Sequence, residues 1–236
     1  MRLHTTTVLS LSALAVLAVA GCSHSSAASS GPMSSPTVPV HPNGESSLAR
    51  APMSSSELAK RLLDESDLGA DYARMPQRPA QHDDVSVIGC PALEKLGGDA
   101  GTGVSLVFPR KAKASFTYAD GNNSELTEEL YSDTAAKLSK GIEEIFDAMV
   151  SCPTYQVVSG STPITVTTRN MPAPRLGDER WSLLLTFTAD GRSSLIKQTA
   201  VRTGPVVVAI SGSPSQVDAH LHKAVAKATA VRLTGR

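Results

Sequence analysis

The sequence lacks a long hydrophobic run, a surplus of either charge, a dense cysteine framework and a recognisable catalytic signature. Its apolar run Val8–Ala20 holds thirteen residues, too few for a membrane-spanning helix of about 20. Basic and acidic side chains each number 22. With no basic stripe to hold phosphates, nucleic acid is not an expected partner. Three cysteines without a supporting histidine cluster argue against a metal site. Serines are plentiful, yet no G-x-S-x-G elbow or supported S-x-x-K motif occurs, so no triad can be assigned. No internal repeat is detectable. The expectation is therefore no catalytic residue and no cofactor.

What is present begins at the N-terminus. Arg2 precedes Val8–Ala20, and the run ends in Val19-Ala20-Gly21-Cys22. That length suits the apolar core of a signal peptide. The last four residues resemble the lipobox of bacterial lipoprotein precursors, in which cleavage leaves a diacylglycerol-bearing cysteine as the new N-terminus. The resemblance implies a signal peptide over residues 1–21 and lipid on Cys22. The alternative is an ordinary signal peptide with a chance cysteine. Two or three acyl chains hold a protein stably at a bilayer, so no amphipathic anchor is needed.

Ser23–Ser56 comprises 34 residues, of which 12 are Ser and 5 are Pro. Such a segment cannot bury enough apolar surface to offset its ordering entropy. It reads as a disordered tether spanning on the order of 30 Å. The expected organisation is a lipid-anchored tether at 22–55 and one extracytoplasmic domain at 56–236. Without Arg2 the mature chain has 21 basic and 22 acidic side chains, a net charge of −1.

Cys90 and Cys152 then remain. Outside the cytoplasm an even pair is more often bridged than free. A bridge would close a 63-residue loop, worth about 4 kcal/mol in the chain-entropy model. Two buried free thiols are the alternative.

Ser54 and Glu57 have capping-box spacing, and Leu58, Leu62 and Leu63 follow at helical spacing. Cys90-Pro91 opens a second short helix that ends at Gly97-Gly98. Val85–Ile88, Val104–Phe108 and Ala114–Tyr118 look like strands, the last two flanking Pro109-Arg110-Lys111. The clearest helix runs over 132–150, with Ala135, Leu138, Ile142, Ile145, Phe146 and Met149 on one stripe. Its end delivers Cys152, so the bridge would staple it to the helix at Cys90. Strand signals follow at Tyr155–Ser159, Ile164–Arg169, Trp181–Thr188, Ser194–Arg202 and Val206–Ser211, with a strong hairpin turn at Asp190-Gly191. Ser213 and Pro214 start a last helix carrying Val217, Leu221, Val225, Ala228 and Val231. The expected fold is α+β: one domain with helices packed on a curved antiparallel sheet, centred on the C-terminal three-strand meander.

This layout, with Asp67-Leu68-Gly69, Leu176-Gly177-Asp178 and Arg202-Thr203-Gly204 as landmarks, resembles the PknH-like extracellular sensor domain family and related actinobacterial lipoproteins. The resemblance covers roughly residues 56–233. It implies a sheet flanked by helices around a cleft, and ligand or envelope sensing without catalysis. Members typically carry two disulfides, whereas this chain can form one. No ligand-binding residue carries over.

Other constellations have bland readings. His220 and His222 point away from each other on the last helix and read as solvated surface; His24, His41 and His82 lie in tether or loop. The glycine-rich segment at 97–103 precedes a strand, so it lacks the helix N-terminus a phosphate loop needs. Asp120–Ser124 lacks the later ligands of a calcium loop and reads as a turn. Glu125, Glu128 and Glu129 could pair for acid–base work but read as a solvated edge. Arg169, Arg175, Arg180 and Arg192 could line a cleft for an acidic ligand.

The leading expectation is a non-catalytic envelope lipoprotein, held at the membrane through Cys22, whose domain binds an unknown envelope protein or ligand. The runner-up is a carrier of a lipid or small hydrophobic ligand in a cavity between sheet and helices. A third reading is a hydrolase whose site is assembled only in three dimensions.

Overall fold

The computed structural model describes residues 51–76, 85–97, 108–119, 124–159 and 162–230. The expected signal peptide, Cys22, nearly all of the expected tether, His82, Val104–Val107, Asp120–Asn123 and Val231 lie outside the described residues. The described chain folds into α1 (Ser55–Ala59), α2 (Glu65–Leu68), β1 (Tyr72–Arg74), β2 (Val85–Ile88), α3 (Pro91–Leu96), β3 (Arg110–Tyr118) and β4 (Ser124–Ser132). There follow α4 (Ala135–Ser151), β5 (Thr154–Ser159), β6 (Thr162–Asn170), β7 (Glu179–Ala189), β8 (Arg192–Thr203), β9 (Val206–Gly212) and α5 (Pro214–Thr229). Among the described residues the strands form one nine-stranded sheet in the order β1-β3-β4-β9-β8-β7-β6-β5-β2. Every neighbouring pair is antiparallel. The domain is α+β, and the meander β7-β8-β9 stands at its centre as the sequence implied.

Local chemistry sets the elements. Asp190 and Gly191 both have positive φ, 50° and 72°, which a type I′ hairpin turn requires at its two central positions. They join β7 to β8 in register from Ala189↔Arg192 to Glu179↔Arg202. Capping boxes start α1 at Ser54/Glu57 and α5 at Ser213/Gln216, and Pro214 occupies the first turn of α5. Pro91 likewise opens α3, with Cys90 as its N-cap.

Helices cover both faces of the sheet. On the front, Leu138, Ile142, Phe146 and Met149 of α4 and Leu93 of α3 pack on Val157, Val166, Leu183, Leu185, Ala200, Val207 and Ala209. On the back, Val217, Leu221, Ala224 and Ala228 of α5 join Leu58, Leu62, Leu63 and Leu68. They pack on Phe116, Leu126, Leu130, Val206, Val208 and Ile210. Strand β9 is buried on both faces, which explains its unbroken Val-Val-Val-Ala-Ile run. Cys90 and Cys152 are bridged, with Cα atoms 5.7 Å apart, joining the start of α3 to the end of α4.

Several expectations change. Arg110 and Lys111 are not a turn but the first residues of β3, paired with Ser132 and Tyr131. Phe108 precedes that strand and sets its ring edge-on to Tyr131, centroids 6.0 Å apart. Ser132 ends β4 rather than starting α4, whose N-cap is Thr134. Helix α1 stops at Ala59, so Leu62 and Leu63 are buried from the turn beyond it. Packing already begins at Met53, which is buried and donates its N–H to Ser132 Oγ at 2.8 Å.

Candidate functional site

The strand registers put one transverse polar row on the front face. Gln198 of β8 lies opposite Ser211 of β9, Ser211 opposite Thr127 of β4, and Thr127 opposite Ser115 of β3. The next row holds Glu129 opposite Lys113. Here alternation breaks the core. Helix α4 packs over β6, β8 and β9, while the front-facing positions of β3 are Lys111, Lys113, Ser115 and Thr117, all half-buried. The result is a polar floor beside an apolar one.

Its side chains form two hydrogen-bonded groups. Lys113 Nζ sits 3.2 Å from Glu129 Oε1, and Tyr131 Oη donates to Glu129 Oε2 at 2.6 Å. Ser115 and Thr127 hydroxyls are 2.8 Å apart, and Thr127 Oγ1 donates to Glu125 Oε1 at 2.9 Å. Burial pulls Lys111 below the ordinary lysine pKa, against the pull of Glu129. Gln198 is 6 % exposed, and its amide oxygen has no hydrogen-bond partner. A buried acceptor left unpaired costs about 1–3 kcal/mol, so that oxygen is a place where a ligand donor or ordered water would be stabilised. With Lys111 and Lys113 facing Glu125 and Glu129, the floor is balanced in charge and rich in hydroxyls. It suits a polar ligand.

A second cluster joins two of the sequence landmarks. Arg202 donates through Nε to Glu179 Oε2 at 2.7 Å, and through Nη1 to Asp178 Oδ2 and to the Gly204 carbonyl, both at 3.1 Å. Asp178 Oδ2 also accepts the Gly204 N–H at 2.8 Å, and Ser139 of α4 donates to Glu179 Oε1 at 2.9 Å. The Arg202 hydrogen bond is the main reason Glu179 stays ionised below the usual glutamate range. Gly177 makes the approach possible. Its φ is +63°, and a Cβ there would meet the Arg202 carbonyl, Val201 Cγ1 at 2.6 Å and Thr203 Oγ1 at 2.8 Å. This cluster locks the β6–β7 connection to the β8–β9 hairpin.

The remaining sequence candidates disperse. Arg169 and Arg180 lie on the back face, with Arg169 opposite Leu184 and Arg180 opposite Val201. Arg192 begins β8 at the far end and on the front face, and Arg175 is exposed in a connection. The four arginines line no common cleft. His220 is not a solvated residue. It is half-buried, its Nε2 lies 3.0 Å from Tyr72 Oη, and its ring meets Tyr72 edge-on at 5.1 Å. His222 is exposed. Glu125 and Glu129 share the front face as alternation requires, but Glu128 faces backward, fully buried beside Ala114 and Ile210, in an interior strand and not on an edge. Neither Gln198 nor Glu128 has a local sequence signal, because both are defined by what packs over them. Among the described residues no three His, Cys, Asp or Glu side chains gather as a metal-binding group, and no helix is long and apolar enough to cross a membrane.

These features define an open-sheet α+β domain with helices on both faces. Its fold is similar to that of the extracellular domain of PknH from Mycobacterium tuberculosis. The TM-score is 0.55 at 14% identity, covering 75% of this chain and 97% of that one. An uncharacterised Rv0999 ortholog from Mycobacterium smegmatis matches at TM-score 0.40 and 11% identity over the same shares of each chain. No family model matches the chain, and no curated protein does. At such identity the PknH likeness establishes the fold alone.

Proposed function

We propose that the chain is a non-catalytic, extracytoplasmic lipoprotein, anchored through lipid on Cys22, whose domain binds a polar envelope ligand or partner on the floor formed by β3, β4, β8 and β9. The observation that carries the binding reading is Gln198, a buried amide with a free acceptor on the same sheet face as the Lys113–Glu129–Tyr131 network. The extracytoplasmic reading is supported by the Val19-Ala20-Gly21-Cys22 sequence, by the Cys90–Cys152 bridge and by the fold shared with an extracellular domain. A polar floor supports a hydrogen-bonding ligand over an apolar cargo.

Native mass spectrometry of the chain recovered from host membranes tests the binding reading. The expected result is a mass adduct that is lost on Gln198→Leu while the variant keeps its fold by circular dichroism. An adduct that survives Gln198→Leu and extracts into organic solvent would replace this reading with the hydrophobic carrier. A bare chain, together with floor amide resonances that do not move when soluble cell-wall fragments are added, would overturn ligand binding altogether. For the anchor, Cys22→Ser is expected to move the protein from the membrane fraction into the medium.

A further inference from the structure

Strand β4 carries a carboxyl group where its back face otherwise demands an apolar side chain. Leu126 and Leu130 flank Glu128 on that face, Ala114 and Ile210 stand beside it, and all are core residues. Glu128 is 0 % exposed. One carboxyl oxygen, Oε2, accepts the Leu63 N–H at 2.6 Å; the other, Oε1, has no partner. Leu63 belongs to the segment Met53–Arg74, which crosses the back of the sheet before β1 joins its edge. The carboxyl group is thus covered by the same segment it holds.

The surrounding charges are already committed. Lys227 of α5 bonds Asp64 Oδ2 at 2.8 Å and also Asp67 of α2. Arg74 of β1 sets its guanidinium over the Phe116 ring at 5.8 Å. A neutral acid with one unpaired oxygen costs less in such a place than an isolated buried carboxylate does. Burial is the largest influence on Glu128 and moves its pKa from 4.5 up to about 7; the Leu63 N–H, Lys227 and Arg74 oppose that shift, and Asp67 adds to it. Because the folded pKa is raised, the stabilisation is fully present below the unfolded value of 4.5 and is lost as pH rises through about 7.

We propose that Glu128 is a proton-operated latch: protonated, it holds the Met53–Arg74 segment on the back of the sheet, and ionised, it admits water beneath Leu62 and Leu63 and lets that segment open. Other contacts limit the opening to a local one. Ser55 Oγ accepts the Lys111 N–H at 3.1 Å, Arg61 Nη1 donates to the Ala228 carbonyl at 2.9 Å, and β1 stays hydrogen-bonded to β3. The device lies on the opposite face from the polar floor, so it stands whether or not the floor binds a ligand. It acts on the stretch through which the chain passes from its N-terminal region into the domain.

Amide exchange followed by NMR on the intact chain, corrected for intrinsic rates, tests the latch from mildly acidic to mildly alkaline pH. The Leu62 and Leu63 amides are expected to lose protection by about tenfold or more as pH rises from mildly acidic towards 7 and to level off above it, while Val207 and Val208 in the sheet centre stay constant. Glu128→Gln, which cannot ionise, is expected to remove that dependence. His220 lies on the same face, packed on Tyr72 of β1 with burial, then Lys223, lowering its pKa; His220→Gln is expected to leave the loss intact. Wild-type Leu62 and Leu63 protection that does not change with pH sinks the latch without reference to any variant. A loss abolished by His220→Gln instead of Glu128→Gln overturns it equally.

Discussion

At the scale of single residues, the positions that matter most are those where the backbone or a charge has no second choice. Gly177 is one. Any Cβ at φ +63° would collide with the Arg202 carbonyl and Val201, atoms of the sheet centre that cannot move away cheaply. Gly177→Ala is expected to cost about 2–4 kcal/mol in urea unfolding; a variant within half a kcal/mol of wild type would show that the connection adapts. Arg202 is the other. Its side chain is 10% exposed, and it holds Glu179, Asp178 and the Gly204 carbonyl at once. Arg202→Met removes the charge but keeps the stem, and should cost about 1–3 kcal/mol at neutral pH, since both carboxylates stay partly solvated. The pH sign is set by Glu179, whose folded pKa lies below 4.5 chiefly because Arg202 donates to it. Its contribution is present above 4.5 and lost as pH falls through the folded value. The gap between Met variant and wild type should therefore narrow in acid. A constant gap would mean that Arg202 acts through packing alone.

At the scale of elements, the chain shows how far pattern reading reaches. Helices α4 and α5 and strands β7 to β9 were legible because each has an apolar period, a cap or a hairpin turn of its own. Strand β3 was cut short because its first half alternates front-face lysines with small back-face alanines, a pattern that a half-covered sheet permits and a turn also tolerates. In β4 the cluster of glutamates hid a buried position, since only the back-face helices reveal which carboxyl is enclosed. The polar floor was illegible for the same reason: Gln198, Ser211, Thr127 and Ser115 come from four strands in two distant parts of the chain and meet only through strand register. The disulfide lies on the legible side, and it fixes elements with few other ties. Among the described residues strand β2 pairs only with β5, and α3 packs chiefly on α4 and β2. Replacing Cys90 and Cys152 by alanine should cost up to about 4 kcal/mol. The loss should be uneven, with amides of α3 and β2 exchanging first. Equal loss across the sheet would show that the bridge acts only on the unfolded chain.

At the scale of the whole molecule, two apolar cores share a single sheet, and that arrangement decides how the protein unfolds. Neighbouring residues of β9 serve opposite cores: Val207 and Ala209 face α4, while Val206, Val208 and Ile210 face α5. Neither core can dissolve without exposing one side of strands that the other core still needs, so their free energies are coupled through the backbone ladder. The expected behaviour is a single cooperative transition. Trp181, the only tryptophan, gives a local reporter because it packs on the front core, its ring 6.2 Å from Phe146. Leu221 of α5 packs on the opposite face and is 2% exposed. Leu221→Ala should cost about 2–5 kcal/mol. If the sheet couples the two cores, the variant should shift the Trp181 fluorescence midpoint by the same amount as the far-ultraviolet circular dichroism midpoint. A fluorescence midpoint that stays at the wild-type value while the circular dichroism falls would show that the back layer comes away alone. The sheet would then be a scaffold for two separable cores rather than the element that unites them.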